Sequence, residues 1–549
     1  MKPEMYTLKK SLKIFIHMSL IGFITAGVAA CHHGGGGGGD DTPGVRAVSP
    51  TNGAIDIEKT TEVTATFSAG MDDPTSVIAS EFTLGDSAGN TVSGSATFDP
   101  ITNVATFTPS ANLGVLRTYT ATLGTGITHS GGTPITQYNW SFTTREGAWS
   151  NAEKIEFDDF TMMSDPHVAL AGNGDAIAIW ISGTNDVYAN KYSASTSSWS
   201  TAELISNLNF PKSDLQVAMD NSGNAIAVWS NAQGGNTNLR SAFYNGTSWA
   251  AAISIEGNGG VADNAQIAFD ASGNAIVVWL QANDIWFNRY DAVGMAWDGE
   301  QTIETGAGVA FAPQLAVDDS GNAIAVWAQD NGGTNLIYAN LFSATGGTWS
   351  GETAIGSGAN GYIPQIAVDN DGNAIAIWLE DASPSPYSVW INRYSGDAWG
   401  TATEMENGVN VSAKPQIGID AQGNGIAVWK DDTNGRLRYN AYSFDTGWGT
   451  AANLENGTND TFIPQLAVDT EGHAIAVWRQ YSDSTIISSV WTSRYVSGTG
   501  WGTPMMLEED DTAPISSPDV AFDKNGNAFA IWIQDQGLGV DSTWTARFE

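Results

Sequence analysis

The sequence predicts an all-β protein, a small β-sandwich followed by an eight-bladed β-propeller. Three observations predict it. A unit whose clearest copy runs from Pro364 to Trp378 recurs eight times between residue 166 and the C-terminus. Each period of roughly 50 residues carries four short strand signals, the signature of a propeller blade. Ahead of the repeats, residues 43–145 show alternating strand patterns without that period.

One unit reads as a hairpin. Ile366 and Val368 alternate with Gln365 and Ala367 at the strand period of two. Asp369-Asn370-Asp371-Gly372 has turn chemistry: the aspartate accepts from backbone N–H groups two residues on, and the glycine takes positive φ cheaply. Ala374 to Trp378 is a second apolar run, too short for a typical helix. The turn glycine recurs from Gly174 to Gly526, and the closing tryptophan from Trp180 to Trp532 at intervals of 48 to 54 residues. The turn aspartate recurs from Asp220 to Asp523; the first copy has Ala171 instead.

Two further strand signals complete each period. One ends in an aromatic, as in Trp390-Ile391-Asn392-Arg393-Tyr394, and the other opens on a second tryptophan, from Trp149 to Trp501. A lone four-stranded sheet would expose an apolar face, so neighbours must stack. The repeats begin with a fourth-strand tryptophan, Trp149, and end with a third strand at Phe548. The N-terminal strand is therefore expected to complete the last blade, giving eight blades across 146–549.

The chain has 549 residues, 59 Asp plus Glu against 22 Lys plus Arg, and a formal charge of −37. Such a surface repels nucleic acid and anionic headgroups and keeps a secreted protein soluble. No nucleic-acid partner is expected.

Residues 1–30 read as an address. Lys9, Lys10 and Lys13 precede an apolar run from Ile14 to Ala30, the pattern of a secretory signal. Its end, Val28-Ala29-Ala30-Cys31, resembles a bacterial lipobox, with Val28 in place of the usual leucine. The resemblance implies acylation of Cys31, the single cysteine, and a membrane anchor at the outer membrane or cell surface. Residues 31–42, with His32-His33 and the glycines from Gly34 to Gly39, read as a flexible tether.

Residues 43–145 alternate over Thr61 to Phe67, Ala105 to Thr108 and Thr118 to Leu123, which suggests an Ig-like sandwich. Ser49-Pro50-Thr51-Asn52-Gly53-Ala54, Ala65-Thr66-Phe67-Ser68 with Met71-Asp72, Phe107-Thr108-Pro109-Ser110 with Leu113, and Trp140-Ser141-Phe142-Thr143-Thr144 resemble the bacterial Ig-like domain of S-layer proteins. That resemblance implies a non-catalytic spacer or adhesion module.

In the repeats, sixteen of the 21 tryptophans fill two strand columns and four share a third, so core packing explains them without a ligand. Asp369-Asn370-Asp371-Gly372-Asn373 looks like the start of a calcium loop, but only this copy has the second aspartate and no glutamate stands at the twelfth position. Turn stabilisation is the preferred reading, and no cofactor or metal is expected; Ca²⁺ has no support beyond that match. The Asp-x-x-Gly-Asn pattern also resembles the Asp box of sialidase propellers, which implies propeller architecture. The sparse arginines, Arg289, Arg393, Arg494 and Arg547, occupy one repeat column and are not expected to converge. No HExxH, GxSxG or phosphate loop is present, and no catalytic residue is assigned.

The expected site is one mouth of the propeller, where loops between strands two and three and between blades share a face. Asp381 to Pro386 and Gly361-Tyr362-Ile363 are such variable stretches. Gln216, Gln266, Gln314, Gln365, Gln416 and Gln465, four residues before each turn aspartate, add a polar ring near that mouth, unless they serve only to bond neighbouring blades. These glutamines and Tyr362 are the candidate ligand-binding residues. The expected function is a surface lipoprotein whose propeller binds an extracellular glycan or protein without turnover. The alternatives are a sialidase- or lyase-type carbohydrate-active enzyme and a purely structural envelope protein.

Overall fold

The structure, a computed structural model, describes residues 44–549 except 69–74, 88, 129–131, 157–162, 184, 207–209, 211, 234, 258, 307, 382–386, 407–410, 412–413, 456–459, 482–486, 509–513 and 537–539. The signal segment, Cys31 and the glycine tether lie outside the described residues, as do Met71, Asp72 and 382–386.

The chain is all-β. Among the described residues the single helix is Thr75–Glu81. Two four-stranded sheets come first. One has the order Val45–Ser49, Val63–Phe67, Val104–Pro109, Gly94–Asp99, and the other Ala54–Ile57, Tyr138–Thr144, Thr118–Leu123, Phe82–Asp86. Their inward residues alternate, as in Val63, Ala65 and Phe67, and close on Phe82, Phe107, Trp140 and Phe142.

Eight further sheets, sheets one to eight below, follow among the described residues. Their first strands are Ser164–Leu170, Lys212–Met219, Ala262–Phe269, Ala310–Val317, Gly361–Val368, Gln416–Ile419, Thr461–Val468 and Ile515–Phe522. Each packs against the first strand of the next sheet, and Ile515–Phe522 packs against Ser164–Leu170. Within a sheet the strands are antiparallel in chain order, and in six sheets the fourth splits into two short pieces on the third. In sheet eight the fourth strand is Glu153–Lys154, from the start of the repeats, and Trp149 bridges Phe548.

The period-two pattern decides what lies between sheets. Trp229 of sheet two is fully buried against Ile177, Ile179 and Ile181 of sheet one. All eight closing tryptophans have zero exposure. Burying one such side chain is worth about 4–6 kcal/mol at ~25 cal/mol per Å². The turn aspartates cap their turns. Asp220 Oδ1 accepts from the N–H groups of Ser222 and Asn224 at 2.8 Å, and Oδ2 from the Asn224 carboxamide at 2.7 Å.

The sandwich is seated on the turn ends of sheets seven and eight. Val115 N–H donates to the Asn525 carbonyl at 2.7 Å, and Val115 joins the apolar cluster of Phe522 and Phe548. Buried Arg117 reaches Asp469 at 3.5 Å, Glu471 at 2.9 Å and the Lys524 carbonyl at 3.1 Å.

Candidate functional site

Every first strand but that of sheet six carries a register shift two to three residues before the glutamine column, a β-bulge. At each bulge the residue two before the column has positive φ: Asp165, Asp214, Asn264, Ala312, Ile363, Ile463 and Ser517, between 43° and 53°. None is glycine. Bulges re-aim side chains and gather beside functional sites, and a β-branched residue at positive φ is an outlier. Ile363 and Ile463 are the two most strained by that measure. In sheet six the same position is Lys414, which is exposed.

Beyond the bulge the strand alternates again. Leu215, Val217 and Met219 pack between sheets one and two, while Gln216 and Ala218 stay half-exposed. Ala169, Ala268, Ala316, Ala367, Gly418, Ala467 and Ala521 take the place of Ala218 in the other sheets. Small side chains thus stand beneath the amide row.

The predicted glutamines all lie in this row, and they do not behave alike. Gln216 Nε2 meets His167 Nε2 at 3.3 Å, and His167 Nδ1 meets Asp519 Oδ2 at 3.2 Å. His167 and Asp519 hold the glutamine position in sheets one and eight, so one polar chain crosses three sheets. Gln266 and Gln365 donate to the preceding carbonyl, at 2.8 and 2.6 Å. Gln314, Gln416 and Gln465 make no side-chain hydrogen bond among the described residues and are half-exposed. Tyr362 stacks edge-on against Tyr387 at 5.4 Å. Gly361-Tyr362-Ile363, expected as a variable loop, is instead the start of the first strand Gly361–Val368, because its backbone pairs with Leu379 and Glu380.

The bulged end is electrostatically lopsided. Burial raises the pKa of Asp165; Asp214 adds to the rise and His167 opposes it. Asp263 is raised by burial and by Asp214, against its bond from Asn264. In sheets four to seven the equivalent of Asp214 is Ala312, Ile363, Lys414 and Ile463. Sequence reading missed Asp519, Lys414 and the bulge residues as parts of a site. Position relative to the glutamine column was the available signal.

The arginine column is used between sheets. The Arg393 guanidinium lies over Tyr442 and Phe444 of sheet six, Arg494 over Phe522 and Phe548 of sheet eight, and Arg547 over Tyr192 of sheet one. A second repeated device was missed. Trp327 Nε1 donates to Gln329 at 2.9 Å, and Gln329 donates to Glu304, in the tail of sheet three, at 2.8 Å. Trp279, Gln281 and Glu256 repeat it one sheet earlier. In sheet five Gly356 takes the glutamate position, and Glu380 replaces the glutamine and accepts from Trp378 at 2.8 Å. Among the described residues no group of three or more His, Cys, Asp or Glu is arranged to hold a metal ion, and no helix is long and apolar enough to cross a membrane.

Residues 39–144 match the bacterial Ig-like domain family. No curated protein matches the chain. Among solved structures the chain is similar to propeller folds. The β-propeller domain of the Trilobed protease from Pyrococcus furiosus is 11% identical with a TM-score of 0.40, over 65% of this chain and all of that one. A lectin of Aleuria aurantia in complex with Fucα1-6GlcNAc is 16% identical with a TM-score of 0.33, over 54% of this chain and 96% of that one. A sialidase from Streptococcus pneumoniae is 12% identical with a TM-score of 0.34, over 82% and 84%.

Proposed function

We propose that the eight sheets of 146–549 close as one propeller and that its bulged mouth binds an extracellular glycan without turning it over. The sandwich of 43–145 and the tether of 31–42 carry the propeller away from a membrane. Acyl chains on Cys31, exposed after removal of residues 1–30, anchor it at the outer membrane or cell surface. One observation supports the binding reading above the rest: among the described residues the carboxamides of Gln314, Gln416 and Gln465 have no hydrogen-bond partner, and Gln314 and Gln465 stand two residues after the bulge residues Ala312 and Ile463. Carboxamides offer two donors and an acceptor each, which suits sugar hydroxyls, and Tyr362 supplies an aromatic face. Ca²⁺ plays no part in this reading.

A glycan array on the ectodomain, beside a hydrolase and lyase substrate screen, tests it. Binding without turnover is expected, with Gln314→Ala and Gln465→Ala together weakening it about tenfold, ~1.4 kcal/mol. Array silence would remove the reading. A second reading, a glycan-cleaving enzyme, is favoured by the His167–Asp519 pair beside Asp165 and Asp214. Turnover abolished by Asp519→Asn with binding kept would establish it. Membrane extraction of wild type and Cys31→Ser tests the anchor: only the variant should leave the membrane fraction without detergent.

A further inference from the structure

The repeats provide their own comparison for the clefts between sheets at the turn end, opposite the bulged mouth. Five third strands place a cation in such a cleft, and in four of them a ring, hydroxyl or carbonyl of the next sheet contacts the cation. Lys191 donates to the Gly246 carbonyl at 3.3 Å and lies over Tyr244. Arg393 is covered by Phe444, whose ring lies against Gly423 of the turn. Arg494 lies under Phe522 and Phe548, where Val115 of the sandwich also packs. Arg547 pairs with Glu549 at 2.8 Å and with the Tyr192 hydroxyl.

Arg289, between sheets three and four, differs. Its one partner among the described residues is Asp298 at 3.3 Å. Where sheet six has Phe444, sheet four has Ala344. A cavity of about 290 Å³ opens there, bounded by Arg289, Gly321 and Ala344. The hydroxyls of Ser272, Ser320 and Thr345 also line it, and none has a hydrogen-bond partner among the described residues.

We infer that this cleft is a second ligand site, for one neutral sugar residue. The size lies at the low end of small-molecule pockets, roughly 300 Å³ and up. The charge pattern sets the class. Arg289 is already paired with Asp298, and Asp270 also lines the cleft, so an added anion would meet carboxylates on both sides. A neutral polyol satisfies both signs, because its hydroxyls accept from the guanidinium and donate to carboxylate or hydroxyl oxygens. The site is independent of the bulged mouth.

Saturation-transfer NMR on the ectodomain, with methyl glycosides of glucose, galactose, mannose, fucose, rhamnose and xylose at millimolar concentration and glucuronate as the charged control, tests the inference. At least one neutral glycoside should bind, glucuronate more weakly. Ala344→Phe installs the plug that sheet six already carries and should weaken binding about tenfold or more. Arg289→Leu, with the residue that stands at the equivalent Leu341, should do the same and decides the matter if the first variant does not fold. Ala344→Phe leaves the mouth untouched, so the part of the signal that it removes belongs to this cleft and the part that survives belongs to the mouth. No binding by any neutral glycoside, preference for glucuronate, or indifference to the deciding variant would each overturn the site.

Discussion

Asp318 illustrates how one carboxylate holds a turn. It accepts from the Asn322 N–H at 2.8 Å and the Asn322 carboxamide at 2.9 Å. Asp318→Ala leaves both donors short of a partner, and an expected cost of about 1–3 kcal/mol should appear as a lower urea midpoint. This role was legible, since Asp-x-x-Gly-Asn states its own turn. Glu304 was not. Its Ile303-Glu304 pair recurs as Ile155-Glu156 and Ile255-Glu256, but its meaning depends on the tail of one sheet reaching the Trp–Gln pair of the next. Burial first, opposed by the Gln329 bond and then reinforced by Asp284, raises the Glu304 carboxyl from 4.5 to about 7. Folding therefore favours the protonated acid. The stability it contributes is full below pH 4.5 and is lost as pH rises through about 7. Glu304→Gln keeps an acceptor for Gln329 and offers a permanent donor. Thermal unfolding should show the variant more stable than wild type at pH 8 and little changed near pH 4.5.

A first strand shows what propensity can and cannot announce. Alternation of Ile366 and Val368 with Gln365 and Ala367 placed its paired part correctly. The bulge ahead of it was hidden, because isoleucine favours extended strand and the residue before a proline is biased the same way. Packing overrides both at Ile363 and Ile463, which stand at φ of 43° and 50°. A left-handed conformation costs a β-branched residue roughly 1–2 kcal/mol, and asparagine much less. Ile363→Asn and Ile463→Asn should thus each stabilise by about 0.5–1 kcal/mol in urea unfolding, net of lost apolar contact. If the strain serves ligand geometry, the same changes weaken glycan binding at the mouth. A stabilised variant with intact binding would mean the bulge only shapes the sheet. The exchange of Gly356 and Glu380 in sheet five makes a related point. An element keeps its indole acceptor while the residues supplying it change place, so a single column read by eye loses the pattern.

At the scale of the molecule, the two folds were legible and their junction was not. Arg117 and its partners are far apart in sequence, and among the turns that carry the aspartate only that of sheet seven lacks the asparagine four residues on. Other turns place asparagine at the fourth position after the aspartate, where its carboxamide occupies Oδ2. Sheet seven has His473 instead. Its Nδ1 still accepts the Ser497 N–H at 3.1 Å, as Asn322 accepts from Ala344. Burial lowers the pKa of this imidazole, in keeping with a neutral acceptor. Asp469 Oδ2 thereby lacks its usual donor, and Arg117 of the sandwich stands 3.5 Å away. Removing one partner of a buried pair strands the other, at about 3–5 kcal/mol. Arg117→Ala should therefore loosen the sandwich from sheets seven and eight, and calorimetry should resolve separate transitions where wild type gives one. A lost contact alone cannot be repaired from the propeller side, whereas an unpaired carboxylate can. His473→Asn in the Arg117→Ala background restores the carboxamide donor found in the other turns. It should recover the melting temperature of the propeller while leaving the sandwich undocked. Failure of that recovery would mean that Glu471 or the Lys524 carbonyl, rather than Asp469, is what Arg117 serves.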